Sequence, residues 1–489
     1  MPIFSIKNIF FIIFLPFIWS CNSRTETQHS NPEKPNIIYI LADDLGYGDL
    51  GLYGQEDIKT PNLDQMGFEG IRFTDHYSGS TVCAPSRSVL MTGLHTGRTP
   101  IRGNRKISEE SEVPLPEEEV TIMTSMKEAG YTTGVFGKWG LGGPGTTGSP
   151  VNQGIDKFFG YLSHRHAHFY YPEFLYRGEE RVPLPGNQVI ENDFFPGTGL
   201  NTEKQTYSTD VIMEEALSFI TKQKENPFFL YLPMTIPHAE MLVPEEAMAQ
   251  YLDEDGNSIF DEVPHPEGEH HGPQPYPAAA YAAMVSLMDN KIGQLFDHLK
   301  EQGLDENTLV IFTSDNGSHA EGGYHPDYLN SSGPLRGFKR DLYEGGIRVP
   351  MIARWPGQIK AGTTSSHISA FQDILPTFSE IAGIQPPTDI DGISIAPELL
   401  GNVDQSSHEY LYWEFHEQGG KQAVRKGPWK AVRLNVIQNP DAPLELYNLD
   451  EDIAERNNVA NQHPDIVEDM SNIMKEARIP SEIFPLPND

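Results

Sequence analysis

Short apolar runs recur along this chain, separated by segments whose apolar residues follow helical spacing. Asn36–Leu41 (NIIYIL) reads as a buried strand. Glu117–Ala129 reads as a helix and Tyr131–Gly137 as the next strand. Tyr207–Lys224 is amphipathic and helical, and the strand Pro227–Pro233 follows it. The long helix Ala278–Gln302 leads to the strand Thr308–Thr313, with a further strand at Val349–Arg354 and a helix at Ile368–Ala382. This alternation predicts an α/β fold, a large mostly parallel sheet flanked by helices. Residues 240–277, rich in Pro, Glu and His, interrupt the pattern as a long loop, a type of segment that is often functional. From about residue 405 short strands crowd together, at Tyr410–Phe415, Gln422–Arg425, Trp429–Leu434 and Glu445–Tyr447, ahead of a helix near Pro464–Ala477. They predict a small C-terminal antiparallel sheet with one helix. No internal repeat is visible.

The first residues follow a different rule. Lys7 precedes an apolar run, Ile9 to Trp19, that is too short to span a bilayer, for which about 20 residues are needed. Ser20-Cys21 and a polar stretch follow. This is the pattern of an export signal. A Cys directly after a small residue resembles a bacterial lipobox, which makes Cys21 the lipidated first residue of an exported, membrane-anchored lipoprotein facing the periplasm or the cell surface. The expected organisation is a signal peptide over 1–20, a tether over 21–34, a large α/β domain over 35–404 and a small C-terminal subdomain over 405–489. A chain of 489 residues suits one large and one small domain.

Acidic residues outnumber basic ones, 69 to 35, for a net charge of −34. That excludes nucleic acid as a partner, because binding it rests on neutralising phosphates. An anionic substrate remains compatible, since a basic pocket can sit within an acidic surface. The chain has 2 cysteines, Cys21 and Cys83. If Cys21 carries lipid, Cys83 has no partner within the chain. Exported proteins usually pair their cysteines.

In open α/β sheets, ligands bind beyond the carboxyl ends of the strands. Asp43 and Asp44 follow the first strand, and Lys138 follows the second. His238 comes after Pro227–Pro233, and Asp315 and Asn316 after Thr308–Thr313. Either acidic pair alone reads equally as a helix cap or a solvated turn. Together, Asp43, Asp44, Asp315 and Asn316 offer only oxygen donors, which suit a hard cation such as Ca²⁺ or Mg²⁺ better than zinc. Cys83 lies in Thr81-Val82-Cys83-Ala84-Pro85-Ser86-Arg87. Pro85 suits the first turn of a helix, which places Cys83 at a helix N-terminus where free N–H groups favour an anion. Arg87 lies one turn further on.

Cys83-Ala84-Pro85-Ser86-Arg87, with Leu90-Met91-Thr92-Gly93, resembles the signature of the type I sulfatases of the alkaline-phosphatase-like superfamily. Asp43-Asp44-Leu45-Gly46, Gly137-Lys138-Trp139, Pro237-His238, Ser314-Asp315-Asn316-Gly317 and Gly337-Phe338-Lys339 agree with it in family order. The resemblance implies a sulfuric ester hydrolase in which a separate maturation enzyme oxidises Cys83 to formylglycine. It implies one Ca²⁺ held by Asp43, Asp44, Asp315 and Asn316, with the modified Cys83 also bound. It assigns Arg87 to the ionised diol, Lys138 and Lys339 to the sulfate oxygens, and His238 to the bridging oxygen.

The chain departs from the family at one point. Many sulfatases have a histidine two residues after the motif lysine, whereas Lys138-Trp139 is followed here by Gly140. His164, His166, His168, His319 and His325 are candidates to fill that space. A sulfated carbohydrate is the expected substrate, with a galactose or N-acetylgalactosamine 4-sulfate preferred. Tyr170 and Trp413 are candidates to stack on sugar faces. The alternatives are a phosphodiesterase or phosphonate monoester hydrolase of the same superfamily, and a non-catalytic glycan-binding surface protein.

Overall fold

The computed structural model describes residues 1–3, 34–108, 110–191, 199–266 and 271–487. The export signal, the tether and Cys21 fall outside the described residues. Lys34–Asp489 form one compact unit. No described helix is long and apolar enough to cross a membrane.

The core is a 10-stranded sheet. Its centre consists of five parallel neighbours: Thr308–Ser314, Asn36–Ala42, Phe228–Pro233, Thr132–Lys138 and Lys157–Tyr161. Asn36–Ala42 is buried on both faces, so after Asn36 it runs as unbroken apolar and aromatic residues. Ile38 and Ile40 join the core formed with Ile212 and Phe219 of the helix Ser208–Gln223 and Met284 of Pro277–Gln302. Ile37, Tyr39 and Leu41 pack on the other side, with Leu90 of the helix Cys83–Thr92 and Phe378 of Ile374–Ala382.

Three predicted elements differ in detail. The helix expected from Glu117 begins at Ile122, because Thr121 is extended and its side chain caps the helix by accepting from the Thr124 N–H. Met351–Arg354 runs antiparallel to Thr308–Ser314. The segment between them holds only a turn of 3₁₀ helix and the short helix Glu344–Ile347, so no long crossover returns the chain to a parallel register. The helix expected from Ile368 begins at Ile374, after Ser369–Ala370 has paired with His76–Tyr77 and Phe371–Asp373 has formed a 3₁₀ turn.

The C-terminal sheet is antiparallel, ordered Leu411–Phe415, Lys421–Lys426, Trp429–Leu434 and Glu445–Asn448. Met470 and Met474 of the helix Pro464–Glu476 cover one face. The other packs against Tyr77, Val82, Leu342 and Ile347, so the sheet rests on the segments around Cys83 and the Gly337–Arg348 loop.

Candidate active site

Four neighbouring parallel strands end at one place. Asp43 and Asp44 directly follow Asn36–Ala42, and Asp315 and Asn316 directly follow Thr308–Ser314. Lys138 is the last residue of Thr132–Lys138, and His238 lies beyond Phe228–Pro233. Cys83 opens the buried helix Cys83–Thr92. Asp44 adopts a left-handed backbone (φ 65°), a conformation that Asp tolerates better than most residues, and its N–H donates to Asp315 Oδ1 at 3.1 Å.

All nine residues expected at the site converge. Cys83 Sγ lies 3.4 Å from Asp43 Oδ1 and 3.4 Å from Lys138 Nζ. Lys138 Nζ donates to Asp43 Oδ2 at 2.6 Å. Lys339 Nζ donates to Asp44 Oδ2 at 2.7 Å and lies 3.1 Å from His238 Nε2. Arg87 grips Asp315 Oδ2 through Nε and Nη2, at 3.1 and 2.8 Å, and donates to the Lys138 carbonyl. Asn316 Nδ2 donates to Asp44 Oδ1 at 2.7 Å.

Three carboxylates therefore oppose three cations in a fully buried cluster. Burial raises the Asp43 carboxyl, but the Lys138 and Arg87 charges outweigh it and hold the group below its ordinary value. Asp44 is held down in the same way by Lys339 and His238. Asp315 goes the other way, to about 7, because burial and then the Asp43 charge exceed the relief from Arg87. Burial and the Asp43 charge push the Cys83 thiol well above its ordinary value. An unmodified Cys83 is thus a protonated thiol and a weak nucleophile.

The carboxylate oxygens of Asp43 and Asp44 suit a hard cation, and their ligand atoms lie within 4.8 Å of those of Cys83 and His238, a group that does not include Asp315. Asn316 Oδ1 is buried and has no hydrogen-bond partner among the described residues. A divalent cation would satisfy that oxygen and relieve the crowding of carboxylates that raises Asp315.

A cavity of about 240 Å³ opens over Cys83 and Lys138. Its walls include residues that the strand-end pattern had not marked, among them Glu112, His271 and Glu321. Glu112 ends the short strand Ser111–Glu112 and the other two come from loops, and only the Pro-, Glu- and His-rich composition of 240–277 hinted at His271. Glu321 bonds Lys339 at 3.0 Å and Arg340 at 2.7 Å.

The candidate histidines separate. His166 packs tilted against Phe174, 4.5 Å between ring centres. His319 contacts the Pro237 carbonyl at 3.0 Å. His325 is partly exposed and caps the turn Pro326–Tyr328. His168 stacks on His238 at 4.8 Å. His164 lines the cavity and lies against Gly140. Tyr170 and Trp413 are not sugar platforms. Both are buried; Tyr170 braces the Thr235 and His238 carbonyls, and Trp413 Nε1 donates to the Ser78 carbonyl.

The family profile described as Sulfatase matches residues 35–384, and that of the N-sulphoglucosamine sulphohydrolase C-terminal region matches 337–479. The chain is 33% identical over 385 residues to an N-acetylgalactosamine-6-sulfatase of Canis lupus familiaris, covering 76% of this chain and 67% of that protein. It is 30% identical to an N-acetylgalactosamine-6-O-sulfatase of Bacteroides thetaiotaomicron, covering 95% of this chain and 97% of the relative. The crystal structure of Ps i-CgsB superposes with a TM-score of 0.74 at 29% identity, covering 91% of this chain and 92% of that one. The mammalian N-acetylgalactosamine-6-sulfatases are matched over about two thirds of their length.

Proposed function

Because this chain belongs to the sulfatase family and is a sulfuric ester hydrolase, we propose that it removes sulfate from an N-acetylgalactosamine- or galactose-containing glycan, using a formylglycine made from Cys83 and one Ca²⁺. The observation that carries this reading is the buried convergence of Cys83, the oxygen donors and the two lysines at the strand ends.

As a hydrated aldehyde, formylglycine supplies a hydroxyl nucleophile at position 83. Asp43, Asp44, Asp315, Asn316 and the modified residue would hold the Ca²⁺, which would supply Lewis acidity there. The chain's own residues do the rest. Lys138 and Lys339 meet the sulfate oxygens and oppose the negative charge that grows there. Arg87 holds Asp315 and turns its charge toward residue 83. His238 stands beside Lys339 and would meet the bridging oxygen. Charge balance supports the reading. The protein groups cancel three against three, so a divalent cation is matched by one sulfate ester and one ionised nucleophile.

Relatives named for the 6-sulfate of N-acetylgalactosamine favour that regioisomer, and the 4-sulfate suggested by Gly140 is the alternative. Ps i-CgsB, also solved with k-i-k-neocarrahexaose, supports a saccharide as the bound group. The Ser20-Cys21 motif supports export with a lipid anchor, and conversion of Cys83 implies a formylglycine-generating partner. The test is sulfate release from galactose-series 4- and 6-sulfates by protein co-expressed with that enzyme. Turnover of one regioisomer, lost in Cys83→Ala, is expected. Silence on all sulfates with turnover of a phosphate diester, from protein whose Cys83 is fully converted by mass spectrometry, would overturn the reading.

A further inference from the structure

His164 is a buried histidine whose ring nitrogens make no hydrogen bond of ordinary geometry among the described residues. It is 7% exposed, and neither Nδ1 nor Nε2 has a hydrogen-bond partner among the described residues. The Gly140 backbone approaches the ring as its one polar neighbour of hydrogen-bonding type, outside ordinary hydrogen-bond geometry. A core histidine normally satisfies at least one nitrogen, because leaving a buried polar group unpaired costs about 1–3 kcal/mol. This ring instead forms part of the wall of the cavity over Cys83 and Lys138.

Two features hold the ring there. The buried Glu112 carboxylate accepts from the His164 backbone N–H at 3.0 Å and from Ser163 Oγ at 2.9 Å, which fixes the turn after Lys157–Tyr161. Gly140 leaves the space that the ring fills. A Cβ at 140 would lie 2.3 Å from both His164 Cε1 and Nε2, and residue 140 has φ 72°, in the left-handed region. The Gly140 N–H donates to the Leu162 carbonyl at 3.1 Å, so the two segments are fastened together at this point.

His238 cannot supply the same contact as it stands. Its Nδ1 bonds the Ala239 carbonyl, and its Nε2 faces the Lys339 ammonium at 3.1 Å as an acceptor. Neither nitrogen offers an N–H to a ligand in the cavity.

We propose that His164 is a substrate-contacting residue that donates an N–H to the sulfate ester from the space Gly140 keeps open, with Glu112 as its positioning residue. This rests on the sulfatase reading above, and it gives the missing side chain at 140 a replacement from a different loop.

The experiment has a binding arm and a turnover arm. In the Cys83→Ala background, titration with N-acetylgalactosamine 6-sulfate, its 4-sulfate and inorganic sulfate is expected to show at least about tenfold weaker binding when His164→Ala is added. In formylglycine-bearing protein, His164→Ala is expected to lower kcat/KM by about 10²–10³-fold, the scale for one lost transition-state donor. His164→Gln, which keeps an N–H, should recover at least tenfold, with the melting temperature within about 3 °C of wild type. Gly140→Ala should reproduce the loss by displacing the ring, and adding His164→Ala to it should cost nothing further. Wild-type turnover with His164→Ala inside threefold would overturn the assignment and leave the sulfatase reading standing. So would a loss that tracks a falling melting temperature and that Gln does not rescue. Silence of the wild type on every ester would overturn the parent reading, and this one with it.

Discussion

At the residue scale, Asn316 separates a metal site from an ion-paired core. Its amide nitrogen is committed to Asp44, whereas its oxygen is buried without a partner among the described residues. Chelated wild-type protein should gain stability on adding Ca²⁺, by about 2.7 kcal/mol at a concentration a hundred times the dissociation constant. Asn316→Ala should lose most of that gain, read as the calcium-dependent shift in melting temperature. An equal shift in both proteins would remove Asn316 from the ligand set. This oxygen was legible in the sequence because it directly follows an apolar strand, as do Asp43 and Asp44. His164 and Glu112 were not legible as a pair. They stand 52 positions apart, and their bond forms only once the loop after Lys157–Tyr161 folds back. The Cys83 motif marked the candidate nucleophile, but no local pattern marks which loop histidine comes to rest on Gly140.

At the element scale, the helix Ile374–Ala382 sits behind Cys83–Thr92 and depends on Asp373. The Asp373 carboxylate accepts from Ala370 N at 2.7 Å and Ile393 N at 2.8 Å, and it meets His408 Nε2 at 2.7 Å. Burial alone would lower the His408 imidazole, but the Asp373 charge and hydrogen bond outweigh it and raise the group above 6.5. A raised folded value means that this stabilisation is full below the unfolded value and is lost as pH rises through the folded one. The stability difference between wild type and His408→Gln, measured by denaturant unfolding, should therefore shrink steadily from about pH 6 to about pH 9. A difference independent of pH would mean the imidazole is not charged in the native state. The same carboxylate explains why the predicted helix over 368–382 starts late: its bond to the Ala370 N–H caps a 3₁₀ turn ahead of the helix. Apolar periodicity reports which residues face the core, and it is blind to a capping bond of this kind. The parallel strands were readable because both their faces are buried, whereas Met351–Arg354 carries no signal of its direction.

At the scale of the whole molecule, the C-terminal sheet is fastened to the active-site loop by charges that water does not reach. Lys430 of Trp429–Leu434 donates to Glu344 Oε1 at 2.7 Å and lies 3.4 Å from Glu455 Oε1. Glu344 opens the short helix that follows Lys339 in sequence, and its other oxygen accepts from Tyr77 at 2.6 Å and Arg348 at 3.2 Å. Lys430, Glu344 and Glu455 are all fully buried. Removing one partner from such a set strands the others, at about 3–5 kcal/mol, whereas an exposed pair is worth under about 1 kcal/mol. Lys430→Met should therefore destabilise the protein by several kcal/mol in denaturant unfolding, and it should loosen the loop that carries Lys339. The penalty should also depend on pH. Burial and the Glu344 charge already raise Glu455 to about 7, and without Lys430 the two carboxylates are offset only by Arg348 and Arg425 on the Glu344 side. Protonating one relieves the repulsion, so the loss should be larger at about pH 8 than at about pH 6. The same argument makes residues 405–489 part of the working enzyme. A chain truncated after 404 leaves Glu344 without its lysine and exposes Val82, Leu342 and Ile347, which the sheet covers. Such a chain should aggregate, or unfold well below the full-length protein, and should release no sulfate. A stable, active truncation would mean that the strands that build the site hold Lys339 in place unaided.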